Sequence, residues 1–232
     1  MIAARSPGVR TGMAGHPRLR GLWTIVLAAC AARRFGRNKL LLRAGRESLV
    51  VRAARHGMLV SGSRCVVVLG SSASLLAREL AGMPVRLVVN RRWREGMAGS
   101  LRAGIAALPT SAQAVLVTLA DQYAVGPDDL ARLAAQWVRK PRAAAAALTE
   151  AGPGAPAVLP RSDFWRVMSL QGDRGARSLL RRPGAEVATL EMPAAAFDLD
   201  DRRDLPHFRI VRHQIHRASV PTIGHDPRRG LY

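Results

Sequence analysis

Between Thr24 and about Asp204, apolar runs alternate with stretches of helical periodicity. Six runs are continuous in aliphatic or β-branched residues: Thr24–Ala29, Cys65–Leu69, Val85–Val89, Ala114–Leu119, Ala143–Leu148 and Val187–Leu190. None alternates strictly with polar residues. That pattern suits strands covered on both faces of a mostly parallel sheet. Helical patterns fill the intervals, at about Glu47–His56, Ser71–Ala81, Gly99–Leu108, Asp128–Val138, Ser162–Ser169 and Arg174–Leu180. Pro127 followed by two acids ahead of an apolar stripe is a helix start. Alternating strands and helices predict a three-layer α/β/α, Rossmann-like domain over 23–205. A basic extension over 1–22 and a basic tail over 206–232 lack apolar periodicity and are expected to be loose. No internal repeat is visible.

Composition changes this picture little. With 232 residues and 48% hydrophobic content, the chain can bury a sizeable core. The formal charge is +20, carried by 34 arginines and only two lysines. Such a charge favours anionic ligands, and it keeps open an arginine-driven nucleic-acid binder whose affinity for any polyanion falls steeply with salt. The excess is spread along the whole chain, and aromatics are 4%, so stacking platforms for bases are scarce. A specific nucleic-acid partner is not expected. No apolar run reaches the ~18 residues of a membrane span. Cys30 and Cys65 form no CxxC pair, which favours a reducing compartment. Leu27-Ala28-Ala29-Cys30 also looks like a bacterial lipoprotein cleavage site, but the apolar stretch is short, the leader is long, and cleavage would remove the first strand.

In an open parallel sheet, ligands bind beyond the carboxyl ends of the strands. Four polar clusters fall there: Cys30 to Lys39, Asn90 to Gly104, Leu119 to Gln122, and Phe197 to Asp201. Lys39, one of only two lysines, follows the first apolar run in a chain that uses arginine for nearly every other cation. A lysine kept there supplies a compact point charge rather than a planar fork, as phosphate-binding loops require. Taken singly, Asp121 is equally a turn cap, the acids at 198, 200 and 201 a solvated cluster, and Gly96, Gly99 and Gly104 turn or packing residues. The six histidines lie in no motif, so neither histidine catalysis nor a zinc site is expected.

Six segments, in order, resemble the MobA-like nucleotidyltransferases, and within them the molybdenum cofactor cytidylyltransferases. The opening LAAGxSxRFGxxK stands here as LAACAARRFGRNK, followed by three leucines. Asn90 through Glu95-Gly96-Met97 to Ser100-Leu101-Arg102-Ala103-Gly104 resembles the second nucleotide-contacting segment. Leu119-Ala120-Asp121-Gln122 resembles the metal-binding strand end, and Gly154-Ala155-Pro156-Ala157 the GxPA turn. Gly172-Asp173-Arg174-Gly175-Ala176-Arg177 resembles GDxGAR, and Phe197-Asp198-Leu199-Asp200 with Asp204-Leu205 the FDIDTPEDL end.

The resemblance implies a cytoplasmic bacterial enzyme that transfers CMP from CTP to a molybdopterin-type molybdenum cofactor, releases pyrophosphate and serves a molybdenum hydroxylase. It gives Mg2+ to Asp121 and Asp200, and catalytic roles to Arg34, Lys39 and Asp121. It gives nucleotide contacts to Leu27, Ala28, Ala29, Cys30, Arg34, Lys39, Asn90, Ser100 and Gly104, and the acceptor to Asp173, Arg174 and Arg177. The chemistry suits these residue types: both reactants are anions, so catalysis is mainly positioning and charge neutralisation.

The chain departs from the family in four places. Cys30 replaces the loop glycine and Ala32 the loop serine, Tyr123 stands for the proline after Asp-Gln, and Asp201-Arg202-Arg203 for Thr-Pro-Glu. The first two keep open a weakened relative that binds nucleotide or molybdopterin as an accessory without turnover.

Overall fold

The computed structural model describes residues 17–29, 38–199 and 202–208. The expectations for Cys30, Ala32, Arg34 and Asp200 lie outside these residues. Strand β1 (Leu22–Ala28) is followed by the short hairpin strands β2 (Arg43–Ala44) and β3 (Glu47–Ser48), helix α1 (Leu49–Ser61), β4 (Cys65–Leu69), α2 (Ala73–Glu79), β5 (Arg86–Val89), α3 (Met97–Ala106) and β6 (Ala114–Leu119). Then come α4 (Pro127–Arg139), β7 (Ala144–Thr149), β8 (Gly152–Pro160), α5 (Phe164–Met168), α6 (Ala176–Leu180) and β9 (Val187–Glu191).

Seven strands form one sheet in the order β5-β4-β1-β6-β8-β7-β9. Every pairing is parallel except those of β8, which runs antiparallel to β6 and β7. The alternating side chains of β1 divide the core. Ile25 and Leu27 meet Leu101 and Ile105 of α3, with Val167 of α5 and Leu179 of α6, on one face. Val26 and Ala28 meet Val50 and Ala54 of α1 and Leu76 of α2 on the other, where Leu130, Leu133 and Trp137 of α4 cover β6, β7 and β8. This is the three-layer α/β/α fold that the continuous apolar runs predict. β1 lies centrally, paired on both sides, so cleavage ahead of Cys30 would remove the middle of the sheet.

Three local expectations are corrected. No strand was expected over 152–160, yet β8 lies there, paired with both neighbours. Its prolines and glycines hide it, and the GxPA segment is an irregularity inside a strand rather than a turn. The register jumps from Ala146↔Ala157 to Ala147↔Gly154, leaving Ala155 and Pro156, joined by a cis peptide, without a ladder partner on β7. Proline cannot donate to a ladder, so a bulge is where a paired strand tolerates it.

Glu47 does not begin a helix. It pairs with Ala44 in the β2–β3 hairpin, and α1 starts two residues later. That helix also continues through Gly57 to Ser61. A β-carbon at Gly57 would lie 2.8 Å from Thr24 Cγ2, so glycine here serves close packing of α1 on β1, not a helix end. The helix expected over Ser162–Ser169 is a 3-10 turn, Arg161–Asp163, followed by the five residues of α5.

Two flanking stretches also pack on the domain. Leu19, in the 3-10 turn Pro17–Gly21, is buried against the α4 face. Residues 205–208 form one helical turn that places Phe208 in a cluster with Tyr123, Leu199, Leu49 and Ala44.

Candidate active site at the carboxyl edge of the sheet

Because β5, β4, β1 and β6 are parallel neighbours, the residues that follow them emerge on one edge. Asn90 follows β5, Gly70 follows β4, Ala29 follows β1 and Asp121 follows β6. Three strand spacings, about 14 Å, separate the first of these strands from the last. The edge is continuous at the backbone: Asn90 N–H donates to Leu69 O, Ser71 N–H to Ala29 O and Ala120 N–H to Leu27 O.

At the β6 end, Lys39 Nζ lies 2.6 Å from Asp121 Oδ2. Lys39 is 4% exposed, an unusual position for a lysine. Local structure puts it there. Asn38 caps the 3-10 turn Lys39–Leu41, its side chain accepting from Leu40 N–H at 3.0 Å and donating to Ser71 O at 3.3 Å. Leu40 is buried against the α1 face and anchors the turn. Asp121 is fixed through its main chain, whose carbonyl accepts from Tyr123 N–H and from Leu199 N–H, the latter at 3.1 Å. That second bond draws the Phe197–Leu199 stretch, with Asp198, to the Asp121 strand end.

At the β5 end, Asn90 Nδ2 donates to Ser100 Oγ at 3.0 Å, and Asn90 Oδ1 accepts from Arg92 N–H. Both residues are buried. The segment that begins here is held against Gly172-Asp173. Gly96 has φ +108°, and a β-carbon on it would overlap the Gly172 carbonyl. Ala98 N–H donates to Gly172 O at 3.0 Å, and Arg102 donates to Leu170 O. Asp173, Arg174 and Arg177 therefore stand exposed beside this segment, with the Arg177 guanidinium over Gly154. The remaining expectations fall within the framework. Leu27 is core, and Ala28 and Ala29 are the last buried residues before the loop. Gly104 packs where a β-carbon would come within 2.9 Å of Ile25.

Some residues that build the site carried no clear signal in the sequence. Gln122 is 7% exposed, and its Nε2 donates to Ala155 O at 3.0 Å and to Ala195 O at 2.9 Å. It ties the β6 end to both the β8 bulge and the stretch ahead of Phe197. The signal available was an amide next to Asp121. Tyr123 is buried, and its Oη lies 2.7 Å from His207 Nδ1. Burial, with Asp204 and Asp198 adding to it, pushes its phenol pKa up, so the hydroxyl stays protonated. Cys65 offers no nucleophile: it is buried in β4, and desolvation pushes its thiol up to about 12.

Among the described residues no three His, Cys, Asp or Glu side chains gather into a protein-only metal cage. Mg2+ is commonly held by one or two carboxylates together with substrate phosphates. Asp121, with the acid-bearing stretch at its carbonyl, has the hard oxygen chemistry for it.

The model of the MobA-like NTP transferase domain matches residues 24–187. The chain belongs to this family. No curated protein matches it. Rv0371c from Mycobacterium tuberculosis H37Rv is similar in structure, with a TM-score of 0.72 and 25% identity over 81% of this chain and 96% of that one. A second structure of Rv0371c is a complex with manganese. Molybdopterin-guanine dinucleotide biosynthesis protein A from Archaeoglobus fulgidus shares the fold, with a TM-score of 0.63 and 15% identity over 82% of this chain and 98% of that one. So does a CMP:2-keto-3-deoxy-manno-octonic acid synthetase complexed with CTP, at TM-score 0.66 and 11% identity over 83% and 98%. The MobA-like chain is thus a nucleotidyltransferase by family. Among its described residues no helix is long and apolar enough to cross a membrane.

Proposed function

We propose that this chain is a Mg2+-dependent cytidylyltransferase of the cytoplasm that transfers CMP from CTP to a molybdopterin-type cofactor. The observation that carries the reading is the buried Lys39–Asp121 pair at the end of the central strand β6. A cation and a carboxylate at one point match a reaction in which phosphates and a divalent metal must be held together. In that reaction an oxygen of the acceptor's phosphate forms a bond to the α-phosphorus of CTP. The α–β anhydride bond breaks, and pyrophosphate leaves with the electron pair.

In this reading Lys39 and Arg34 neutralise the triphosphate and the departing pyrophosphate. Asn90 and Ser100 orient the nucleoside from the β5 end of the edge, and Ala28 and Ala29 border it at the β1 end. Asp173, Arg174 and Arg177 face the acceptor. Asp121 and Asp200 would hold Mg2+, which when bound supplies positive charge to the phosphate oxygens. Lys39 pairs with Asp121 in this structure; a turn of Lys39 toward phosphate would leave the Asp121 carboxylate available to hold Mg2+.

Cytidine rests on the LAA opening at Leu27-Ala28-Ala29, which resembles the cytidylyl branch, where the guanylyl branch more often carries two glycines. The acceptor rests on the same resemblance, and a molybdenum hydroxylase would receive the product. The test is product analysis. Incubated with all four nucleoside triphosphates, Mg2+ and molybdenum cofactor, the protein is expected to yield the cytosine dinucleotide by mass spectrometry. A guanine dinucleotide would overturn the base assignment. The specific observation favouring a second reading, a binding accessory without turnover, is Cys30 and Ala32 in the nucleotide loop. Tight CTP binding with no product would establish it.

A further inference from the structure

Tyr123 stands where the family pattern carries proline, and the structure gives it work that proline could not do. Its Oη meets His207 Nδ1 at 2.7 Å, and its ring packs edge-on against Phe208 at 5.2 Å between centroids. His207 in turn stacks flat on Phe197, 4.3 Å between centroids with 17° between planes. One residue beyond Phe197 is Asp198, and the next, Leu199, is fully buried and donates to Asp121 O at 3.1 Å. The chain therefore closes a loop: Asp121 to Tyr123 by sequence, Tyr123 to His207 by hydrogen bond, His207 to Phe197 by stacking, and Leu199 back to Asp121.

We propose that Tyr123 and His207 are positioning residues that hold the Phe197–Leu199 stretch, with Asp198, at the Asp121 strand end. Asp121 and Asp198 are far apart in sequence, and the fold must bring them together if both are to serve one cation. The Leu199–Asp121 bond fixes one point of the stretch. The His207 ring, clamped between Tyr123 Oη and Phe197, fixes a second, two residues away, and two points set its orientation.

This inference rests on the metal-dependent reading above, so its test separates the two. Manganese binding to the full chain is followed by electron paramagnetic resonance, without nucleotide, for wild type, Asp121→Asn, Tyr123→Phe, His207→Ala and His207→Gln. Thermal melting checks that each variant is folded. Tyr123→Phe and His207→Ala are expected to weaken manganese binding about two- to tenfold, the range for one lost hydrogen bond. His207→Gln, which retains a hydrogen-bonding side chain, should recover part of the loss. Asp121→Asn should nearly abolish binding. Unchanged affinity in folded Tyr123→Phe and His207→Ala, with binding lost in Asp121→Asn, would overturn the positioning role and leave the metal reading standing. Failure of wild type to bind manganese would overturn both.

Discussion

Lys39 Nζ and Asp121 Oδ2 are 2.6 Å apart, joined across 82 positions of sequence, with side-chain exposures of 5% and 14%. Removing one partner of a buried ion pair typically costs about 3–5 kcal/mol. Lys39→Met and Asp121→Asn are each expected to destabilise the protein, Lys39→Met by about 3 kcal/mol or more. The double variant should lose less than the sum of the two singles. Urea unfolding of all four proteins measures this coupling. Additive losses would mean that the pair contributes nothing through its contact.

Gly96, which leads into α3, packs against the backbone of the Gly172-Asp173 turn. Its φ of +108° is strained for any L side chain, and a β-carbon would overlap Gly172. Gly96→Ala is expected to lower stability by at least about 1–3 kcal/mol. It should also weaken acceptor binding more than CTP binding, because it pushes away the turn carrying Asp173, Arg174 and Arg177. Gly82→Ala is the control, since that glycine also has positive φ but faces open space. It should share the strain but spare both affinities.

His56 makes folding sensitive to acid. It is buried, its Nδ1 lies 3.2 Å from Val125 O, and its pKa is lowered to about 3, chiefly by burial and next by Arg52 and Arg55. Unfolded, it titrates near 6.5. Between these values the unfolded chain binds more protons than the folded one. The contribution of neutral His56 is therefore fully present above about pH 6.5 and is lost as pH falls toward 3. Going from pH 7 to pH 5 should cost about 2 kcal/mol through this group. His56→Asn, which keeps a donor for Val125 O, should lose that share of the pH dependence when unfolding is measured at both pH values.

Much of this was legible in the sequence, for physical reasons that differ by element. Cys65–Leu69 and Ala114–Leu119 match β4 and β6 residue for residue, because strands buried on both faces need continuous apolar runs. The sequence points to Asp121 because strand ends collect polar chemistry and to Lys39 because lysine is rare in this chain, and the structure brings the two together. β8 was not found: Pro153, Gly154 and Pro156 argue against a strand, and only the bulge opposite Ala146 and Ala147 reconciles them with pairing on both sides. The roles of Tyr123 and His207 were equally hidden, since a contact spanning 84 positions leaves no mark in local pattern.

Pyrophosphate release from CTP, with Mg2+ and molybdenum cofactor present and Asp121→Asn as control, tests the central claim most directly. The account predicts release by the wild type that falls to background in the variant. No release from folded wild-type protein, or equal release from Asp121→Asn, would contradict it.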